Sequence, residues 1–232
     1  MAKLKVMCAR SMHVAVGALG RAFARAGSHE VDFDFNTVGA LEQKLAAGET
    51  ADVLILSKAA IGKQEQAGSL LPRSGVVVAR TFIAVCLREG AAKPDFSTPE
   101  AFRRMLEAAG TIAVSDPAVG GSAGVHLARV FESEGLAPLM KARGLPQQTG
   151  AEVAKRVVEG KADFGLTLSG EVASVPGAVI AGPLPPPFGQ DTVYCAAVTA
   201  GSKEPEAAAA LITALRRRDT QAMWTKAGFE MS

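Results

Sequence analysis

Strand-like and helix-like segments alternate along the whole chain, and this alternation restricts the fold more than any other feature of the sequence. A short apolar run at residues 4–9 is followed by residues 14–26, where apolar residues recur at helical spacing until Gly27. The same order returns at residues 112–115 and 122–133. Because strands that alternate with helices build mostly parallel sheets, the sequence predicts an α/β fold.

Local signals predict further elements. Thr98 and Pro99 are typical of a helix start, as an N-cap followed by proline at the first helical position. The apolar run 81–87 predicts a strand. The proline-rich segment 182–187 predicts a loop, because proline cannot donate a hydrogen bond within a sheet.

Composition excludes several classes of function. Among 232 residues, Lys and Arg number 25 and Asp and Glu number 23, and aromatic residues make up 5%. This balance gives no support for nucleic-acid binding, and the triplet 216–218 (Arg-Arg-Arg) is interpreted as a solvated helix face. The three cysteines lie in apolar runs and are expected to be buried thiols. The three histidines lack metal-ligand spacing, so neither a metal nor another cofactor is predicted.

The N-terminal residues enter a strand pattern directly, without a long apolar leader. No apolar stretch is long enough to span a bilayer. We therefore expect a periplasmic protein if a leader has been removed, and a cytoplasmic protein otherwise.

A short internal similarity suggests two related halves. Gly39-Ala40, a helical stretch and Ala51-Asp52 recur as Gly150-Ala151, a helical stretch and Ala162-Asp163. A true repeat would give two similar lobes with an equivalent helix start in each. The alternative explanation is chance, or sequence features that are common to many βα loops.

Four predicted helix starts carry small or hydroxyl residues. Unpaired N–H groups and the positive end of the helix dipole make such places able to bind anions. Ordinary helix capping explains each start equally well when it is taken alone. Two starts fall in each half of the chain, which favours a shared anion site; their residues are Ser11, Asn36 and Thr37, then Ser122, Ala123 and Gly124, and finally Thr149 and Gly150.

Two histidines and two arginines add candidate chemistry. His13 and His126 fall in the first turns of two of these helices, as ligand contacts, proton-transfer groups or simply exposed residues. Arg10 and Arg80 flank predicted strand ends and either pair with a ligand carboxylate or lie on the surface.

The chain resembles the periplasmic molybdate-binding proteins and the broader class of type II solute-binding proteins. It looks closest to a branch that includes an aconitate isomerase. The stretches that carry the resemblance cover the chain nearly end to end, and they are residues 5–11, 39–55, 116–126 and 176–185.

The resemblance implies a two-lobed type II periplasmic-binding-protein fold with a ligand cleft between the lobes. Lobe 1 would comprise residues 1–80 and 196–232, and lobe 2 residues 81–195, joined by two crossing hinge strands near 80–82 and 194–196. With the residue-based candidates, the predicted ligand-binding set is Arg10, Ser11, Met12, Asn36, Thr37, Arg80, Ser122, Ala123, Gly124, Thr149, Gly150, Ala151 and Ser169.

Departures from the family bear on the ligand. Molybdate binders have a Tyr where this chain has Leu168-Ser169, and a Ser where it has Asn36-Thr37. A small organic anion such as a carboxylate fits the Arg and His residues better than molybdate.

Three functions follow as hypotheses. The first is a solute-binding protein, expected to be a monomer, that hands its small anion to an ABC-type membrane permease if exported. The second is an isomerase of the aconitate-isomerase kind, in which His126 or His13 moves the proton. The third is an intracellular ligand sensor.

Overall fold

The structure is a computed structural model that describes residues 1–231; Ser232, the last residue of the predicted lobe 1, lies outside them. Contacts divide the chain into two compact units. Unit 1 comprises Met1–Arg80 and the segment from Thr192 onward, and unit 2 comprises Thr81–Asp191. The chain therefore passes between the units twice.

Strands and helices follow one another as the alternation predicts. The first part contains β1 (Lys3–Ala9), α1 (His13–Gly27), β2 (Glu30–Asn36), α2 (Val38–Ala46), β3 (Val53–Ser57), α3 (Lys58–Gln66) and β4 (Val76–Arg88). The middle contains α4 (Pro99–Ala108), β5 (Ile112–Ser115), α5 (Ser122–Ser133), α6 (Ala137–Arg143), β6 (Gly144–Gln147), α7 (Gly150–Val158), β7 (Phe164–Leu168), α8 (Ser169–Val172) and β8 (Ala178–Pro183). The last part contains β9 (Asp191–Val198), α9 (Pro205–Leu215), α10 (Gln221–Lys226) and β10 (Glu230–Met231).

Unit 1 is built on a mixed sheet. Strand β1 pairs in parallel with β2 on one side and with β3 on the other. Strand β9 then runs antiparallel to β3, and β10 pairs antiparallel with the first part of β4. The strands are largely apolar, and their core cluster includes the fully buried Leu4, Val53 and Trp224.

Unit 2 repeats this plan with different strands. Strand β5 pairs in parallel with β6 and β7, and the second part of β4 runs antiparallel to β7 and β8. Its core is centred on aromatic residues, where the ring of Phe188 packs on Phe102 and Phe131 with centroids 4.8 and 6.2 Å apart.

The α/β prediction is confirmed, two local predictions need correction, and some short elements were not predicted. The strand predicted at 81–87 is part of a longer one, Val76–Arg88, since it extends from one unit into the other. The predicted loop 182–187 is wrong for its first two residues, which end β8. Helices α3 and α6 and strand β6 were not predicted, because their short segments carry weak periodicity.

The internal similarity corresponds to matching local structure. Thr37 precedes α2 and Thr149 precedes α7, and each accepts a backbone hydrogen bond as the N-cap. Each helix is followed by a glycine with positive φ, 89° at Gly48 and 70° at Gly160, a conformation that favours glycine. The same combination of a hydroxyl N-cap and a following glycine therefore occurs in both units, and in unit 1 it occurs again at α3, which has Ser57 as N-cap and Gly68 after it.

Candidate functional site

Polar residues of unit 1 gather where its parallel strands end. Ala9 at the end of β1 pairs with Asn36 at the end of β2, and Cys8 pairs with Ile55 near the end of β3. The segments that follow these strands must therefore lie at one sheet edge. They bring together three predicted site residues and two residues, Ser57 and Tyr194, that were not predicted as site residues; this hydroxyl cluster of unit 1 consists of Ser11, Asn36, Thr37, Ser57 and Tyr194.

A buried hydroxyl pair occupies the centre of this edge. The Oγ of Ser11 lies 2.9 Å from the hydroxyl of Tyr194, and both residues are buried. Tyr194 reaches this position because it pairs with Ser57 across the antiparallel β9–β3 ladder. It is the only tyrosine in the chain, and its place in a predicted hinge strand was the only signal that the sequence gave of it.

The corresponding edge of unit 2 receives three helix starts. Ser115 at the end of β5 pairs with Gln147 at the end of β6, and Val114 pairs with Leu166 near the end of β7. Helices α5, α7 and α8 begin after these strands. The predicted residues 122–124, 149–151 and 169 therefore lie at one edge of the unit 2 sheet.

Two further hydroxyl pairs line this edge. The Oγ of Ser169 lies 2.6 Å from Oγ1 of Thr81, and both residues are buried. The Oγ of Ser115 lies 3.1 Å from Oγ1 of Thr167. Thr81, Ser115 and Thr167 were missed by the sequence analysis, because nothing in their local sequence distinguishes them from other strand residues.

Capping separates the helix starts into two kinds. Thr37 caps α2, and Thr149 forms a reciprocal capping box with Glu152 at the start of α7. No side chain caps α1 or α5, whose N-cap residues are Met12 and Gly121. Each threonine cap accepts one N–H group of its helix, and a 3-10 turn, Arg10–Met12, leads directly into α1, where the N–H of His13 donates to the carbonyl oxygen of Arg10. The start of α5 in unit 2 is therefore better suited to bind an external anion.

Two glycines hold the unit 2 helices close to the sheet. A Cβ at Gly124 would lie 2.7 Å from the carbonyl oxygen of Ser115, and a Cβ at Gly150 would lie 2.2 Å from Oγ1 of Thr167. Neither site has room for a larger residue without displacement. Because these two residues have no side chain, the first turns of α5 and α7 can pack directly against the strands.

The two candidate histidines have different environments. His126 is buried on α5, and its Nε2 lies 3.1 Å from the carbonyl oxygen of Phe188, so Nε2 carries the proton and donates. Its Nδ1 is buried without a hydrogen-bond partner among residues 1–231. Burial lowers the pKa of His126, nearby Arg129 lowers it further, and the hydrogen bond to Phe188 opposes this. His13 is exposed, with Nδ1 2.9 Å from the carbonyl oxygen of Arg10.

Three other candidates have contacts that bear on their predicted roles. Arg10 is partly buried in the turn before α1 and forms no ion pair with the described part of the chain. The Arg80 guanidinium is instead paired with Glu230, whose Oε2 lies 2.6 Å from its Nε. Met12 has no exposed surface and packs in the core of unit 1, which is a structural role for its side chain.

A buried carboxylate also lies at the unit 2 edge. Glu171 is in the first turn of α8 and is only 9% exposed. A Cβ at Gly150 would lie 2.7 Å from its Cγ, so the side chain runs beside the start of α7. A carboxylate there can accept a hydrogen bond from a ligand.

Two kinds of feature are absent from residues 1–231. No helix within residues 1–231 is both long and apolar enough to cross a membrane. Over the same residues, no group of three or more His, Cys, Asp or Glu side chains is arranged to hold a metal ion.

Comparison with known proteins agrees with this architecture. The family described as bacterial extracellular solute-binding protein matches residues 4–230. An aconitate isomerase from a Pseudomonas species is 36% identical over 193 residues, which cover 79% of this chain and 69% of that protein.

Solved structures share the fold at low sequence identity. The periplasmic molybdate-binding protein of Azotobacter vinelandii is 21% identical, with a TM-score of 0.75 and 99% of both chains covered. The sulfate-binding protein of Mycobacterium tuberculosis H37Rv is 16% identical, with a TM-score of 0.73, covering 99% of this chain and 86% of the other. At these identities the likeness concerns the fold alone.

Proposed function

Because the chain belongs to the family of bacterial extracellular solute-binding proteins, we propose that it binds a small organic anion and that carboxylates are its ligand class. The observation that carries this proposal is the uncapped start of α5. The N–H groups of its first turn, at Ser122, Ala123 and Gly124, have no side-chain acceptor from an N-cap residue. A ligand carboxylate supplies that acceptor.

Unit 1 carries candidate anion contacts of its own. Ser11 offers a hydroxyl in the 3-10 turn Arg10–Met12 that leads into α1. Arg10 adds a formal positive charge that no acidic side chain of the described residues neutralises by an ion pair. A guanidinium can hold a carboxylate with two parallel hydrogen bonds, which favours an organic acid over a tetrahedral metal oxyanion.

The remaining predicted site residues are expected to contribute less to anion binding. Asn36, Thr37, Thr149 and Ala151 lie at the same sheet edges, but the N–H groups that they accompany are already capped. The Oγ of Ser169 already pairs with Oγ1 of Thr81. If the protein is exported, its place is the periplasm and its partner class is an ABC-type permease.

Isomerisation of a tricarboxylate is the second candidate function, and the aconitate isomerase relative favours it. Moving a double bond requires a base that removes a proton from carbon and a site that stabilises the resulting negative charge. His126 has a lone pair on its buried Nδ1, and Glu171 is a buried carboxylate. Both join the exposed His13 as candidate bases.

A thermal-shift screen tests the binding proposal. Citrate, cis-aconitate, trans-aconitate, molybdate and sulfate are compared on the same protein. A ligand at about 100 times its dissociation constant adds about 2.7 kcal/mol to the free energy of unfolding. We expect at least one carboxylate to raise the melting temperature more than molybdate or sulfate. Stabilisation by molybdate with none by any carboxylate would refute the ligand class.

Proton NMR in deuterated water separates binding from catalysis. The protein is incubated with cis- or trans-aconitate, and interconversion with deuterium incorporation indicates an isomerase. Activity lost in His126→Asn, His13→Asn or Glu171→Gln, with ligand binding retained, would identify the base. Tight binding of either isomer without exchange would leave solute binding as the function.

A further inference from the structure

Unit 1 contains a groove that the proposed anion site does not use. It has a volume of about 430 Å³ and lies between the start of β4, the end of β9 and helix α9. Its walls combine four apolar residues with two hydroxyls and two arginines: Val76, Val198, Ala209 and Ile212, then Ser74 and Thr213, then Arg216 and Arg217.

This groove is at the opposite sheet edge from the hydroxyl cluster of unit 1. In the β9–β3 ladder, Tyr194 pairs with Ser57 at the end of β3, whereas Val198 pairs with Val53 at its beginning. Val198 lies four positions after Tyr194 in an extended strand, a distance of about 13 Å. A ligand in the groove therefore belongs to a different site from one at Ser11.

Most polar groups of the groove already have partners. The Oγ of Ser74 is 3.2 Å from both the backbone N and O of Val198, and Oγ1 of Thr213 donates to the carbonyl oxygen of Ala209. The guanidinium of Arg217 is paired with Asp219 at 2.6 Å. Arg216 forms no ion pair with any residue from 1 to 231, so its charge is the one available to a ligand.

We infer that this groove is a second ligand site, which takes a small amphipathic anion. An apolar body packs against Val76 and Ile212, while a carboxylate or sulfonate head group pairs with Arg216. The volume lies within the range of small-molecule sites, which are mainly apolar with a few polar groups that orient the ligand. In this inference Arg216 binds the head group of a ligand, whereas the sequence analysis interpreted the arginine triplet as a solvated helix face.

Fluorescence titration with 8-anilinonaphthalene-1-sulfonate, an amphipathic aromatic sulfonate, tests the inference. We expect saturable binding to the folded protein, weakened at least tenfold by Arg216→Glu. Arg218→Glu is the matched control, since it makes the same charge change at an exposed residue that does not line the groove. Ala209→Trp, which places a large side chain at an exposed wall position, is expected to block binding.

Each alternative outcome counts against the inference. No saturable binding, or equal loss in the Arg216→Glu and Arg218→Glu variants, would overturn it. Unchanged binding in Ala209→Trp would overturn it as well, as would loss of dye binding in Ser11→Ala, which would locate the dye at the other site. Circular dichroism confirms that each variant is folded. The result does not depend on whether the proposed carboxylate site exists.

Discussion

Replacing Gly121 with Asp tests directly whether the start of α5 binds an anion. Gly121 is the N-cap residue of α5, with φ −70° and ψ 138°, the extended conformation that N-cap residues adopt. A Cβ added there meets no heavy atom within 4 Å. An Asp side chain therefore fits and can accept hydrogen bonds from the first turn of α5.

The substitution is expected to affect stability and binding in opposite ways. An N-cap Asp contributes about 1 kcal/mol to the free energy of unfolding relative to Ala, and a few tenths relative to Gly. The same carboxylate occupies the N–H groups and repels an anionic ligand. Two unit charges about 6 Å apart repel by about 3 kcal/mol at an effective dielectric constant of about 20. Allowing for solvent screening, we expect at least tenfold weaker binding, or about 1.4 kcal/mol.

Calorimetric titration with cis-aconitate and urea denaturation measure the two effects. Gly121→Ala is the matched control, because it adds a Cβ but neither a cap nor a charge. We expect the Asp variant to be more stable than the Ala variant and to bind more weakly. If both variants bind with the wild-type affinity, the first turn of α5 is not the anion site. The proposed function would then lose its main support.

Three further predictions concern the packing, the hydroxyl pair and the buried histidine. Gly150→Ala is expected to lower the free energy of unfolding in urea by about 2 kcal/mol, because its Cβ would lie 2.2 Å from a Thr167 oxygen. Gly39→Ala, in open space in the first turn of α2, should raise it by about 0.5 kcal/mol, and equal effects would contradict the packing argument. Tyr194→Phe is expected to weaken carboxylate binding about threefold to tenfold in calorimetry, with no further loss in a Ser11→Ala background; additive losses would separate the two hydroxyls. Because burial lowers the pKa of His126 in the folded state, stability present above about pH 6.5 should decrease as the pH falls below it. A His126→Gln variant with the same loss in melting temperature between pH 7 and 5 would rule out this origin.

Local sequence determined the type and order of most elements. The caps at Thr37 and Thr149, the proline that opens α4 and the glycines after α2 and α7 act within a few residues of themselves. Their effects could therefore be predicted without knowledge of the rest of the chain. The alternation of strands and helices in turn predicted the α/β fold, because each apolar strand needs a helix to cover it.

Only the tertiary structure decided which candidate residues come together and what each one contacts. Ser11 and Tyr194 are 183 positions apart, and their hydrogen bond depends on β9 lying beside β3. His126 could not be recognised as buried, because its contact with the Phe188 carbonyl depends on how a distant loop packs on α5. Long-range pairing of this kind has no counterpart in local periodicity, since the same strand pattern is compatible with many neighbours. The charge of Arg216 has no ion-pair partner, and the start of α5 has no side-chain cap, because the folded chain brings no suitable side chain beside them. Local sequence could not predict either feature.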